Sequence, residues 1–153
     1  MTFDGYVTSS NTDAPPKPQR AYTQVSRSGI VEAVASSIAT GNPREYLVLH
    51  NIEAIIVTGA WRYMAQLHLF GIEPPIVVLA SLVNVNGMNL IREFYSNSHY
   101  CDLPQEKLRQ DQYHFVESIF ETMPTDYRDV AKRMRGTLNH SSKCIWPGGV
   151  AKF

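Results

Sequence analysis

The chain has 153 residues, with 14 Lys+Arg against 14 Asp+Glu and a formal net charge of zero at pH 7. That balance removes any global attraction to nucleic acid or to an anionic membrane, so such a contact must come from a local patch. With 44% hydrophobic and 10% aromatic residues, the composition is that of one ordinary globular domain. The longest apolar run, 76–80, is too short for a membrane-spanning helix. The opening Met1-Thr2-Phe3-Asp4-Gly5 lacks the basic and apolar regions of a signal peptide, and Cys101 and Cys144 are the two cysteines. Both features predict a soluble, reduced, cytoplasmic protein with no membrane contact.

Residues 1–20 are rich in Ser, Thr, Asn and Asp, with Pro15, Pro16 and Pro18, and read as a disordered lead. Residues 21–27 carry Tyr, Thr and Val and predict a short strand. Gly29 is expected to open a helix, with Glu32 as its capping partner and Ile30, Val31, Val34 and Ile38 as its apolar stripe. Gly41-Asn42-Pro43 ends that helix, and 46–49 predicts a second strand.

The strongest periodicity follows. Asn51 is placed as an N-cap, and Ile52, Ile55, Ile56, Tyr63, Met64, Leu67 and Phe70 recur at helical spacing, predicting a helix over 52–69. Gly71 falls at its C′ position, with Pro74-Pro75 beyond. The small pair Gly59-Ala60 predicts close approach of another backbone. The β-branched run from Ile76 to Val85 predicts a buried strand. Asn86-Gly87 then signals a hairpin with 88–94 as the returning strand.

Residues 96–111 read as irregular. Over 112–120, Tyr113, Phe115 and Ile119 share a strand face, whereas Leu108, Phe115 and Ile119 also fit a helix after Pro104; the strand reading is preferred. Thr125 is placed as the N-cap of a helix over 126–138, with Tyr127, Val130, Ala131, Met134 and Leu138 as its stripe. Residues 141–153, with Pro147-Gly148-Gly149, read as a loose tail. The sum is an α/β or α+β domain over 21–140: a mixed sheet with a β-hairpin and about three packed helices.

Four chemistries are open to these residues. Arg27, Ser28 and Gly29 at a helix start would bind an anion such as phosphate through free backbone amides, although no phosphate-loop or dinucleotide motif is present. His99, Cys101, His140 and Cys144 supply ligand types for zinc at a spacing unlike common zinc modules. Glu32, His50, Glu53 and Ser81 include acid, base and nucleophile types that no recognised catalytic pattern joins. From Asp126 onward six basic residues face two acidic ones, a local +4, so Arg128, Lys132, Arg133 and Arg135 with Trp146 form a candidate nucleic-acid surface. No cofactor is expected.

Five segments occur together in order: Tyr22-Thr23-Gln24-Val25; Arg27-Ser28-Gly29-Ile30-Val31-Glu32-Ala33-Val34; Arg62-Tyr63-Met64; Gly71-Ile72-Glu73-Pro74-Pro75; and Ser81-Leu82-Val83-Asn84-Val85-Asn86-Gly87. Over residues 21–138 this pattern resembles the C-terminal region of bacterial proteins described as ATP-binding or DNA-binding that carry a Schlafen AlbA-like N-terminal domain. The AlbA-like half itself is not in this sequence, and no catalytic or binding residue transfers. The resemblance implies a companion module of such a domain, or a free-standing relative. The expected function is a non-catalytic binding or regulatory module of a DNA- or nucleotide-handling system. Its partner would be nucleic acid, another protein or a second copy. The alternatives are an enzyme acting on a phosphate-bearing substrate at Arg27–Gly29, and a structural or assembly protein.

Overall fold

The computed structural model describes residues 5–9, 21–36, 38–39, 46–91, 105–115 and 117–134. Its class is mixed α+β, and the chain forms two compact units, Met1–Ile38 and Ala39–Phe153.

The first unit is a three-stranded antiparallel sheet in the order β1-β2-β3, with β1 at Gly5–Ser9, β2 at Ala21–Ser26 and β3 at Val31–Ala35. Part of the segment read as a disordered lead is therefore a strand. β1 lies along β2 from Gly5↔Ser26 to Ser9↔Tyr22. The helix expected from Gly29 is instead β3, paired with β2 from Val25↔Val31 to Ala21↔Ala35.

The cause is local. Gly29 has φ +84°, which a helix start does not allow, and its N–H donates to the Ser26 carbonyl at 3.1 Å. The Ser26 N–H donates to the Ile30 carbonyl at 2.9 Å. Those two bonds close a three-residue hairpin loop, in which a left-handed glycine follows a tight turn and matches the twist of the strands. Glu32 caps nothing; its carboxylate accepts a 2.6 Å hydrogen bond from the Tyr22 hydroxyl across the sheet.

The second unit holds every buried apolar residue among those described, from Leu47 to Met134. β4 (Tyr46–Val48) runs directly into α1 (Leu49–Leu69). The helix thus begins two residues before Asn51, with Val48 at the N-cap position and no side-chain cap. Its C-terminus follows the sequence reading: Gly71, at φ +75°, donates to the His68 carbonyl at 2.9 Å and Ile72 to the Leu67 carbonyl at 3.0 Å. That pair of bonds is a Schellman motif. The buried side of α1 is Ile52, Val57, Ala60, Met64 and Leu67, while Ile55 and Phe70 from the expected stripe are exposed.

β5 (Ile76–Val78), β6 (Ser81–Val83), β7 (Asn89–Ile91), β8 (Gln105–Lys107), β9 (Gln112–His114) and β10 (Ser118–Phe120) follow. The expected hairpin at Asn86-Gly87 is not formed. Gly87 alone has positive φ, at +82°, whereas the usual Asn-Gly hairpin turn needs it at both central residues. The Met88 N–H closes the turn onto the Val85 carbonyl at 3.1 Å, and the chain then leaves β6. β7 runs parallel to β4, with Leu47↔Leu90 and Val48↔Ile91, and antiparallel to β8. The last of these lies in the stretch read as irregular.

β6 pairs instead with β9, and β5 with β10, both antiparallel. Ser81↔His114 and Val78↔Ser118 fix the two registers, and the Phe115 N–H donates to the Ala80 carbonyl at 3.0 Å. Between Val78 and Ala80 stands one residue, Leu79; between Phe115 and Ser118 stand two. The two sheets are therefore one ribbon, 76–83 against 112–120, interrupted by a one-residue bulge.

Residues 127–134 form the second helix, α2. Two helices are described, not three, because the expected first one is β3. The N-cap of α2 is Asp126 rather than Thr125: its Oδ1 accepts from the Arg128 N–H at 2.7 Å and the Asp129 N–H at 3.0 Å. Val130, Ala131 and Met134 are buried as the periodicity required, Tyr127 is exposed, and Leu138 lies outside the described residues.

Candidate functional site

Arg27, Ser28 and Gly29 form the β2–β3 loop, so the helix terminus that an anion site would use is not there. Two amides at the end of the loop are also engaged: Gly29 N–H on the Ser26 carbonyl, and Ile30 N–H on Ser26 Oγ at 3.1 Å. Ser28 Oγ is hydrogen bonded to Ser26 Oγ at 2.7 Å. The sequence of Met1–Ile38 contains no histidine to serve Arg27 and Glu32 as an acid or base. The signal for this loop was present as Ser-Arg-Ser-Gly, with a serine opening a tight turn and a glycine closing it.

Of the catalytic candidates, Ser81 is not buried in a strand but exposed on β6, where its Oγ is 2.9 Å from Nδ1 of the exposed His114 on β9. A hydroxyl and an imidazole at this distance have the spacing of a nucleophile and its base. Among the described residues, no carboxylate is paired with His114, and the pair stands on an open sheet face. It is a hydrogen bond at the surface. His50 is exposed and Glu53 half-buried, both on α1, whereas Ser81 is on β6.

Metal ligation falls outside what is described: His99, Cys101, His140 and Cys144 lie beyond the described residues. Among the described residues, no group of three or more His, Cys, Asp or Glu is placed to hold a metal ion. No helix there is long and apolar enough to cross a membrane.

The basic surface is partly described. Arg128 and Lys132 are exposed one helical turn apart on α2, so their side chains share a face. Arg133 is also exposed, and its guanidinium carbon stands 5.7 Å from the centroid of the Phe120 ring, a cation–π arrangement. Arg135 and Trp146 lie outside the described residues.

The acidic residues of α2 point back to its own start. Asp129 Oδ2 accepts from the Thr125 hydroxyl at 2.7 Å and the Thr125 N–H at 3.1 Å. The Thr125 hydroxyl, then its amide, hold the Asp129 carboxyl below the usual carboxylate range.

Two apolar surfaces were not anticipated. One is an open groove along α1, lined by Ala54, Ile55, Thr58, Gly59, Arg62 and Tyr63. Among the described residues, the close backbone approach expected at Gly59 is not seen: the atom that comes near the position of an added Cβ belongs to the Tyr63 ring, at 3.5 Å. The other is the outward face of the ribbon, where Val77, Leu79, Val83 and Ile119 are 52%, 73%, 56% and 40% exposed. Strict alternation over 76–83 carried this signal, but a continuously apolar run hides it, since both phases look alike. Compared with protein-family models, with curated proteins and with solved structures, the chain matches none.

Proposed function

We propose that this chain is a non-catalytic binding or regulatory module associated with a DNA- or nucleotide-handling system, meeting an anionic partner through the exposed face of α2. The observation that carries this reading is the arrangement of charge on that helix. Arg128 and Lys132 project together into solvent, while Asp126 and Asp129 are drawn into hydrogen bonds at the helix start. Exposed cations on one helix face neutralise phosphates and bind them without reading sequence. The basic residues Arg135, Lys143 and Lys152 that follow in the sequence extend the same sign of charge. The resemblance to companion regions of AlbA-like proteins supports the association with nucleic acid or nucleotide.

Fluorescence anisotropy with labelled single-stranded DNA, duplex DNA and RNA at low salt tests this reading. Binding is expected, weakening as salt rises. The double substitution Arg128→Ala and Lys132→Ala should flatten the log–log salt slope by about 1.8 on duplex DNA and about 1.4 on single strands, the share of two phosphate contacts. Absence of binding at low salt, or binding indifferent to the double substitution, overturns it.

A further inference from the structure

The cross-strand pair Ser81 and His114 is separate from α2 in residues and in chemistry. Ser81 on β6 stands directly opposite His114 on β9, and the next register pair, Leu82↔Tyr113, is buried on the other face of the ladder. Beside them the Phe115 N–H donates to the Ala80 carbonyl at 3.0 Å. Backbone pairing on both sides therefore holds the hydroxyl against the imidazole, at 2.9 Å, and both side chains are open to solvent. Groups carried on strands keep their geometry better than groups carried on loops. We infer that Ser81 is an acyl-acceptor site: its hydroxyl takes an acyl group from an activated ester, with His114 as the base.

The step balances between the pair and the donor. In the tautomer with the ring proton on Nε2, the Ser81 hydroxyl donates to Nδ1. As Ser81 Oγ bonds to the acyl carbon, its proton passes to Nδ1, and the bond from that carbon to the leaving oxygen breaks. The imidazolium then returns the proton to the departing aryloxide, so His114 ends neutral. The product is a serine ester, whose alkoxide leaves far less readily than an aryloxide, so the acyl group stays on the chain. Ser81 is thus modified once rather than turned over, independently of anything bound at α2. The surroundings set the donor class. Neither 76–83 nor 112–120 contains Lys or Arg, so a phosphoryl or carboxylate-bearing donor meets no fixed cation there. The outward neighbours of Ser81 on its own strand, Leu79 and Val83, are 73% and 56% exposed and suit a neutral acyl group.

Incubating the full chain with p-nitrophenyl acetate, followed by proteolysis and mass spectrometry, reads the acetylation rate at each serine. The control is Ser28, an exposed serine whose hydroxyl meets the Ser26 hydroxyl, at 2.7 Å, rather than an imidazole. Ser81 should react at least about tenfold faster than Ser28, a margin below the roughly 10²–10⁴-fold typical of a positioned base. His114→Gln should remove that margin, and so should unfolding in urea. Ser81→Ala should remove the adduct from its peptide while leaving background lysine acetylation unchanged. Equal rates at Ser81 and Ser28, a margin indifferent to His114→Gln or persisting in urea, or steady release of p-nitrophenol with no acetyl on Ser81 each overturns the proposal. Circular dichroism of each variant confirms folding. Should His114→Gln fail to fold, the urea comparison on the wild-type chain decides alone.

Discussion

The two compact units reach order by different routes. In Ala39–Phe153 the side chains of Leu47, Met64, Ile91, Val57 and Val130 are sealed from solvent, and strands, helices and turns all serve that burial. In Met1–Ile38 no described side chain is buried: β2 is half-buried throughout and most of β3 is exposed. Order there comes from ladder hydrogen bonds, cross-strand pairs and a glycine in the right turn. A core tolerates irregular backbone provided apolar area is removed from water, whereas a small sheet depends on each turn being right.

The largest expected effect breaks the core. Leu47→Ala, at a fully buried position paired with Leu90, should cost about 2–5 kcal/mol in urea unfolding followed by fluorescence. Equal loss of amide protection in β2 and β3 would show that the units do not unfold separately and would remove the contrast. Next, Gly29→Ala forces an alanine to φ +84° and should cost roughly 1–2 kcal/mol. Read by hydrogen exchange, the loss should be confined to β1–β3, with the amides of β4 and β7 unchanged.

The smallest effects are titrations that sharpen the same contrast. Tyr22 donates to Glu32, and that bond, with some burial and the nearby carboxylate charge, raises its phenol above the ordinary value. Its contribution is complete below about pH 10 and is lost as pH rises through the raised value. Asp129 is shifted the other way, so its contribution is present above about pH 4 and is lost as pH falls through the lowered value. Alkali should therefore loosen β2–β3 first and acid should loosen the start of α2 first, each followed by exchange at local amides. Tyr22→Phe should remove the first pH dependence, and Thr125→Ala, which leaves the Thr125 backbone amide in place, should reduce the second.

What the sequence disclosed follows the same division. The long helix, its glycine stop and the stripe of α2 were legible because periodicity and caps are local and act together. The β3 segment was misread because Ile30, Val31, Val34 and Ile38 fit helical spacing while Val31, Ala33 and Ala35 fit a strand, and the turn chemistry of Ser26–Gly29 decides between them. The partner of β6 was not legible at all. Asn86-Gly87 is a short-range signal, and the true partner, β9, lies across a long connection whose pairing no local pattern encodes. The candidate site shared that fate: cations on α2 were readable from spacing, but the outward face of the ribbon existed only once β5, β6, β9 and β10 had been paired.

The bulge also governs how this protein can change in length. It reverses the odd–even phase of strand 112–120, so that Tyr113, Phe115, Ser118 and Phe120 all face inward while His114 and Ile119 face outward. Losing one residue between Phe115 and Ser118 would restore a regular ladder and leave every one of those orientations intact. Losing one within Gln112–His114, or within 76–83, would turn half of the ribbon inside out. Evolutionary drift in chain length thus has one permissive point along this ribbon, and homologues one residue shorter are expected to have shed it there.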